Sequence, residues 1–245
     1  MSDAKTTVAA AAAPHDEKHH ADVSGGWLRA AVFGAMDGLV SNIALIAGVG
    51  GGGASSKTII ITGTAGLVAG AISMALGEYT SVRTQTEQVA AEVAKERREL
   101  ERNPEVETEE LAQMWVKRGL PVDLARQVAE VVHRNPEEAL RIHAQEELGV
   151  DPYEQPSPWV AAGSSFLFFA AGALIPLLPY LLGAATLLPA LIFGGVGLFL
   201  TGALFSRFTR RRWWAGGLRQ LLLGGAAAVA TYVIGMLIGG GGAGL

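Results

Sequence analysis

Cysteine is missing from all 245 residues. Without a thiol there is no disulfide framework and no thiolate metal site. Charge is scarce too: 17% of the residues are Asp, Glu, Lys or Arg, against about 25% in an ordinary soluble domain. No phosphate-cradling glycine loop with its lysine is present, which argues against ATP-driven pumping; neither a nucleotide nor a nucleic acid is expected as a partner. The opening stretch MSDAKTTVAAAAAPHDEKHH lacks the basic start, apolar core and cleavage site of a signal peptide. Residues 1–24 read as a disordered cytoplasmic tail. His15, His19 and His20 belong to that tail, with weak metal binding as the other reading.

Apolar and small residues fill the space that charge leaves. Half the chain is hydrophobic and 32 residues are glycine, a mixture suited to close helix packing in lipid. Five apolar windows stand out, at about 28–50, 58–79, 159–181, 185–206 and 217–239. Each supplies the roughly 20 residues that a membrane-spanning helix needs. The expected fold is therefore all-α: a polytopic membrane protein with five transmembrane helices, two within 25–82 and three within 157–240. Gly50–Lys57 reads as a turn, and Pro176 and Pro179 are expected to end or kink the third span.

The interval 83–156 differs in kind. Between residues 83 and 154 there are 17 acidic and 10 basic residues, on a helical pattern with stops at Asn103–Pro104 and Leu120–Pro121. Thr108 is a candidate N-cap for its second helix. A third helix should run to His133, and a fourth should open with Pro136 in its first turn. This is an inserted helical module. The link after the fourth span carries Arg207, Arg210, Arg211, Arg212 and Arg219, which puts it on the cytoplasmic side by the positive-inside rule. Counting back over two spans places the module and the N-terminus there as well. Trp213 and Trp214 fit an interfacial belt against membrane lipid.

Carboxylates occur in both settings. Asp37 lies in the first third of an apolar run, where a charge costs roughly 2.5–3.5 kcal/mol on insertion scales. It is read as a functional carboxylate, with a wet helix-end residue as the bland reading. Met74 and Glu78 share a face of the second span, being four apart. Asp37, Asn42, Met74 and Glu78 together make a mixed oxygen and thioether set on a transport pathway, the thioether favouring softer first-row metals. In the module, Glu92, Glu96 and Glu99 line one helix face. Glu107 and Glu110 follow, and His143 stands four before Glu147. Such spacings build divalent-metal sites on helices. They also occur on any acidic helix, where Glu92 would pair with Lys95 and Glu99 with Arg102.

Asp37-Gly38-Leu39, Gly70-Ala71-Ile72-Ser73-Met74, Gly77-Glu78-Tyr79, the charged interval and Pro176-Leu177-Leu178-Pro179-Tyr180 occur in an order that resembles the vacuolar iron transporter family over about residues 25–240. The resemblance implies five transmembrane helices, a homodimer with its pathway at the interface, and a cytoplasmic helical metal-binding domain between helices two and three. It implies exchange of ferrous iron, sometimes manganese, against protons. It carries the family's first-helix aspartate onto Asp37, its second-helix methionine onto Met74, and its soluble-domain glutamates onto Glu96, Glu99, Glu107, Glu110 and Glu147. Three positions depart from the plant members. Gly66 stands where they have a glutamate, and His143 and Ala144 replace two methionines; imidazole can still bind ferrous iron.

The expectation is a proton-coupled exporter of Fe2+, with Mn2+ as a second cargo, in a prokaryotic plasma membrane. H+ is the counter-ion and no cofactor is permanently bound. A metal sensor or scaffold that transports nothing is the alternative. A di-iron membrane enzyme is disfavoured, because the module lacks paired Glu-x-x-His motifs.

Overall fold

The computed structural model describes residues 26–207 and 212–240. The N-terminal tail with its three histidines, and Arg210 and Arg211 of the basic link, lie outside the described residues. Every regular element among those described is helical: α1 (Gly26–Gly51), α2 (Ser56–Arg102), α3 (Pro104–Lys117), α4 (Val122–Val132), α5 (Pro136–His143), a π-helical turn (Ala144–Leu148), α6 (Pro158–Leu181), α7 (Leu187–Ser206) and α8 (Trp213–Gly240). Five of them, α1, α2, α6, α7 and α8, are long and apolar enough to cross a membrane.

α1 is the hub, packed against α6, α8, α7 and α2. Small residues make this possible. Gly34 and Gly38 sit one turn apart on α1, and a Cβ on either would run into the α6 backbone at Ser165 or Phe169. Gly172 on α6 meets the Ala35 carbonyl in the same way. The two backbones therefore touch along a small-xxx-small seam, where dispersion and close approach replace the hydrophobic drive that lipid removes. Leu39, Ile43, Ala47, Leu198 and Ala228 form the buried centre. This seam fixes the rotation of α1, and so the direction in which Asp37 faces.

α2 is 47 residues long, about 70 Å at 1.5 Å per residue. A bilayer core takes up about 30 Å of that. Ser55 starts the helix, its Oγ accepting from the Thr58 amide at 3.3 Å. From Glu78 to Arg102 there is no glycine or proline, and strong helix formers carry the helix onward. The expected division between residues 82 and 83 falls inside it, with no break in the backbone. Asn103 ends it, because a residue before proline is pushed out of the α region; its φ is −132° and its ψ 51°.

Three local expectations are corrected. Pro104, not Thr108, opens α3; Thr108 is inside the helix and its hydroxyl donates back to the Pro104 carbonyl at 2.7 Å. Pro176 and Pro179 do not end α6, which continues to Leu181 with both prolines buried among neighbouring helices, a setting in which membrane helices tolerate proline. On α2, Lys95 pairs with Glu99 at 3.8 Å, so the expected Glu99–Arg102 pair is replaced by an i,i+4 pair toward the helix start. The remaining turns follow the sequence. Asn135 caps α5, its Oδ1 accepting from the Glu137 amide at 3.2 Å and the Glu138 amide at 3.4 Å. Gly149, at φ +69°, closes the π-helical turn in a left-handed conformation that glycine adopts without steric penalty.

Candidate metal centre and membrane cavity

Four of the acidic-module side chains converge. Glu96 comes from α2, Glu107 from the first turn of α3, His143 from the last position of α5 and Glu147 from the π-helical turn. One ligand atom from each lies within 4.8 Å of all the others. His143 Nδ1 is 2.9 Å from Glu147 Oε1, 3.1 Å from Glu96 Oε1 and 4.0 Å from Glu107 Oε2. His143 is fully buried, and Glu96 and Glu107 are each 7% exposed. Glutamates on a solvated helix face do not look like this.

The chain assembles the cluster by closing α3, α4 and α5 over the end of α2. Leu111, Ala112, Ala125 and Ala129 form an apolar seam between α3 and α4, with Ile142 of α5 packed on it. A polar clamp holds α5 to α2. Arg97 donates to both oxygens of Glu137, at 2.8 and 3.2 Å, and the Tyr153 hydroxyl donates to Glu137 as well. Those bonds hold the Glu137 carboxyl down at about 2. Arg97 neighbours Glu96 in sequence, so the clamp anchors the turn of α2 that carries the ligand. The π-helical turn widens the backbone just after His143. Its ring and the Glu147 carboxylate nevertheless stay on one face, four residues apart.

Three carboxylates around one imidazole leave negative charge in excess even if the imidazole is protonated. Burial, followed by the Glu147 charge, pushes the Glu96 carboxyl up to about 7, while His143 pulls the other way. Burial also raises Glu107, with Glu110 adding to it. A group of this kind keeps a proton near neutrality and exchanges it for a cation. Three hard oxygens and one imidazole nitrogen suit divalent first-row ions.

Other expected members lie apart from this group. Glu99 faces Lys95 and is not among the four. Glu110 lines an open groove along α3 with Glu105, Glu109 and Met114, although it is close enough to Glu107 to act on it electrostatically. Glu146 turns away to an ion pair with Arg118. Sequence reading missed His133, whose ring stands edge-on to His143 with centroids 5.2 Å apart. Its position at the end of α4 was visible in the sequence, but the contact depends on how α4 packs. The Arg97–Glu137–Tyr153 clamp was also missed, since its members are 40 and 16 residues apart.

A second candidate site lies between α1, α2 and α6. A cavity of about 370 Å³ is lined by Asp37, Ser41, Asn42, Gly66, Met74 and Phe169, among others. Asn42 is buried, and its Nδ2 donates to the Ala173 carbonyl of α6 at 2.6 Å. That bond fixes the amide, leaving Oδ1 buried without a hydrogen-bond partner. A Cβ placed on Gly66 would sit 3.4 Å from this oxygen, so the absent side chain at 66 keeps the space beside Asn42 open. Glu78 does not line the cavity. Arg29 of α1 donates to its carboxylate, which is only 11% exposed, so this acid is neutralised across the α1–α2 contact.

Five helices long and apolar enough to span a bilayer, with an acid within the first of them, define a multi-pass membrane protein. The sequence pattern of the VIT family matches residues 28–236. Among curated relatives, a vacuolar iron transporter of Acanthamoeba castellanii is 40% identical over 199 residues, covering 76% of this chain and 72% of the relative. Vacuolar iron transporter 1 of Arabidopsis thaliana is 35% identical over 171 residues, 69% of this chain and 66% of its own length. Vacuolar iron transporter 1 of Oryza sativa subsp. japonica is 32% identical over 210 residues, 82% of each chain. The chain belongs to the VIT family, whose members are transporters and not enzymes.

Proposed function

We propose that the protein moves divalent metal, Fe2+ first and Mn2+ as a second cargo, out of the cytoplasm in exchange for protons. The observation that carries this reading is the buried cluster of Glu96, Glu107, His143 and Glu147, whose Glu96 stands on the same helix that lines the Asp37 cavity with Met74. The cluster gathers metal. Asp37, the Asn42 amide oxygen and the Met74 thioether receive it. Glu99 and Glu110 supply negative field at the edge of the cluster, and Glu78 with Arg29 closes the α1–α2 contact one turn from Met74.

The module and the N-terminus are cytoplasmic in this reading, on the strength of the arginines between Arg207 and Arg219. In a prokaryotic cell the membrane is the plasma membrane. The protein works as a homodimer: the apolar window of α2 is left mostly uncovered by its own chain, and a second copy would cover it. Proton exchange follows from the chemistry of Asp37. A carboxylate in that position is protonated, hydrated or cation-bound, and alternation among these states couples metal to proton.

The test is flux in sealed vesicles, with purified protein, a panel of divalent metals and an internal pH dye. Wild type is expected to move Fe2+ with an opposing proton flux, and Asp37→Asn to lose nearly all of it while binding metal at the cluster unchanged. A rate for the variant within about twofold of wild type removes Asp37 from the pathway. Metal binding without any flux in wild type favours the sensor or scaffold instead.

A further inference from the structure

Asp37, Ser41, Leu45 and Gly48 are spaced by four, four and three residues, so they stand on one face of α1. Gly52 continues the line just past the end of the helix. Leu45 is the one bulky apolar side chain in this stripe, and the function proposed so far gives it no part.

Two spaces lie end to end along that face. The first is the Asp37 cavity of about 370 Å³, whose wall includes Ser41, Asn42 and Met74. The second is a groove of about 440 Å³ between α1 and α8. It runs past Gly48 to Gly52, with Thr231, Gly235 and Gly239 on its α8 side. Among the described residues, Leu45 is the only one that lines both. The chemistry of the two differs. The cavity offers a carboxylate, a thioether and the unpartnered Asn42 amide oxygen. The groove offers no side-chain ligand. Its one polar side chain is Thr231, whose hydroxyl donates to the Ala44 carbonyl at 2.6 Å. A cation can be held in the first space and can only pass through the second.

Leu45 reaches from α1 across to α2. A Cβ placed on Gly66 would sit 2.5 Å from Leu45 Cδ2 and 3.4 Å from Asn42 Oδ1. The bare backbone at Gly66 therefore seats the leucine, whose methyl ends near the free amide oxygen at the rim of the cavity. An apolar constriction sheds water, and gates of this kind close by dewetting.

We propose that Leu45 is the barrier residue of the pathway, separating the Asp37 cavity from the groove that leads to the Gly52 end of α1. The inference rests on the transport proposed for the protein, since a barrier matters only where something crosses. Exchange needs one: a carboxylate wetted from both faces at once would leak protons without carrying metal. Passage of metal then requires Leu45 to move aside.

The experiment uses the full-length protein in sealed, metal-free vesicles, with Ser41→Cys as the sole thiol. An impermeant thiol reagent is added on the face that carries Lys57, identified with Lys57→Cys. With Leu45 intact, the thiol at 41 should react far more slowly than the thiol at 57. Adding Leu45→Ala should speed its labelling from that face at least about fivefold. The same substitution without the reporter should raise the proton leak under an imposed pH gradient, read by an internal dye, by a similar factor. Leu45→Gln keeps the volume but admits water and should open the barrier too. Leu45→Met keeps both volume and apolarity and should leave it shut, within about twofold of wild type. A purely structural role would lower the thermal stability of the alanine and glutamine variants and leave labelling and leak unmoved. Acceleration of less than about fivefold in both overturns the inference, as does a thiol at 41 that reacts as fast as the one at 57 with Leu45 intact. If Leu45→Ala does not fold, the glutamine and methionine variants and the intact reporter decide. Flux in wild type with no change in labelling or leak removes the barrier and keeps the transport proposal. The expected labelling and leak with no metal flux in wild type does the reverse.

Discussion

Glu96 shows how one side chain sets both the stability and the loading of a module. Its carboxyl is raised to about 7 by burial and by its neighbours, whereas an unfolded chain releases that proton near 4.5. Between those values the folded state holds more protons than the unfolded one, so stability falls as pH rises through the window. Metal-free protein should therefore melt lower at pH 7.5 than at pH 5, by the equivalent of roughly 1–3 kcal/mol. Glu96→Gln should flatten that slope, raise the melting temperature at pH 7.5 and abolish tight Mn2+ binding. Calorimetry and thermal melts of the two proteins at both pH values check all three. A steeper slope in the variant would mean that the cluster is not repulsive. His143 and Glu147 were within reach of sequence reading because they sit on one local face, four residues apart. The burial of Glu96 was not, since an acidic helix in solvent has the same spacing. What buries it is α3 folding back at Asn103–Pro104, a long-range event that leaves no periodic trace.

Among the elements, the apolar spans were legible nearly to their ends, because a bilayer demands about 20 consecutive apolar residues and nothing in the module imitates that. The reading of proline as a helix end failed where packing overrides local preference: both prolines stay inside α6 because neighbours surround them. α2 runs on beyond its apolar part because nothing in its sequence stops it. The clamp between α2 and α5 makes a prediction at this level. Arg97 and Glu137 are about half exposed, and exposed pairs contribute little to stability. Arg97→Ala should thus leave the thermal midpoint within a few degrees of wild type. It should still weaken Mn2+ binding several-fold, by loosening the turn that carries Glu96. Unchanged affinity in isothermal titration would show that the α3–α4 seam alone positions the cluster. At the seam between α1 and α6, Gly38→Leu should prevent native assembly altogether. Its side chain would enter the Phe169 backbone, and the expected readout is loss of the folded species in detergent size-exclusion chromatography.

For the whole molecule, orientation is the open quantity, and the absence of cysteine makes it measurable. Ser55 and Ser157 cap α2 and α6, so single cysteines belong at neighbouring exposed positions. Lys57→Cys lies at the start of α2 and Glu154→Cys just before α6. An impermeant thiol reagent applied to intact cells should label the first and spare the second. The opposite pattern would invert the topology argued from Arg207 to Arg219, and with it the direction of export.

The unbroken α2 makes the protein sensitive to angle. Met74 and Glu96 are 22 residues apart on it, about 33 Å along the axis and, at about 100° per residue, only about 40° apart around it. The cluster and the cavity therefore open toward nearly the same side of a single rod. Changing the rod's length also changes its phase. Seven alanine-rich residues inserted between Gln85 and Gln88 would move the module about 10 Å farther out but turn it by only about 20°. Five residues would move it less and turn it by about 140°. If metal passes from one site to the other along a shared face, the longer insertion should transport better than the shorter one. Vesicle flux from the two insertion variants would then follow the helical period and not the distance.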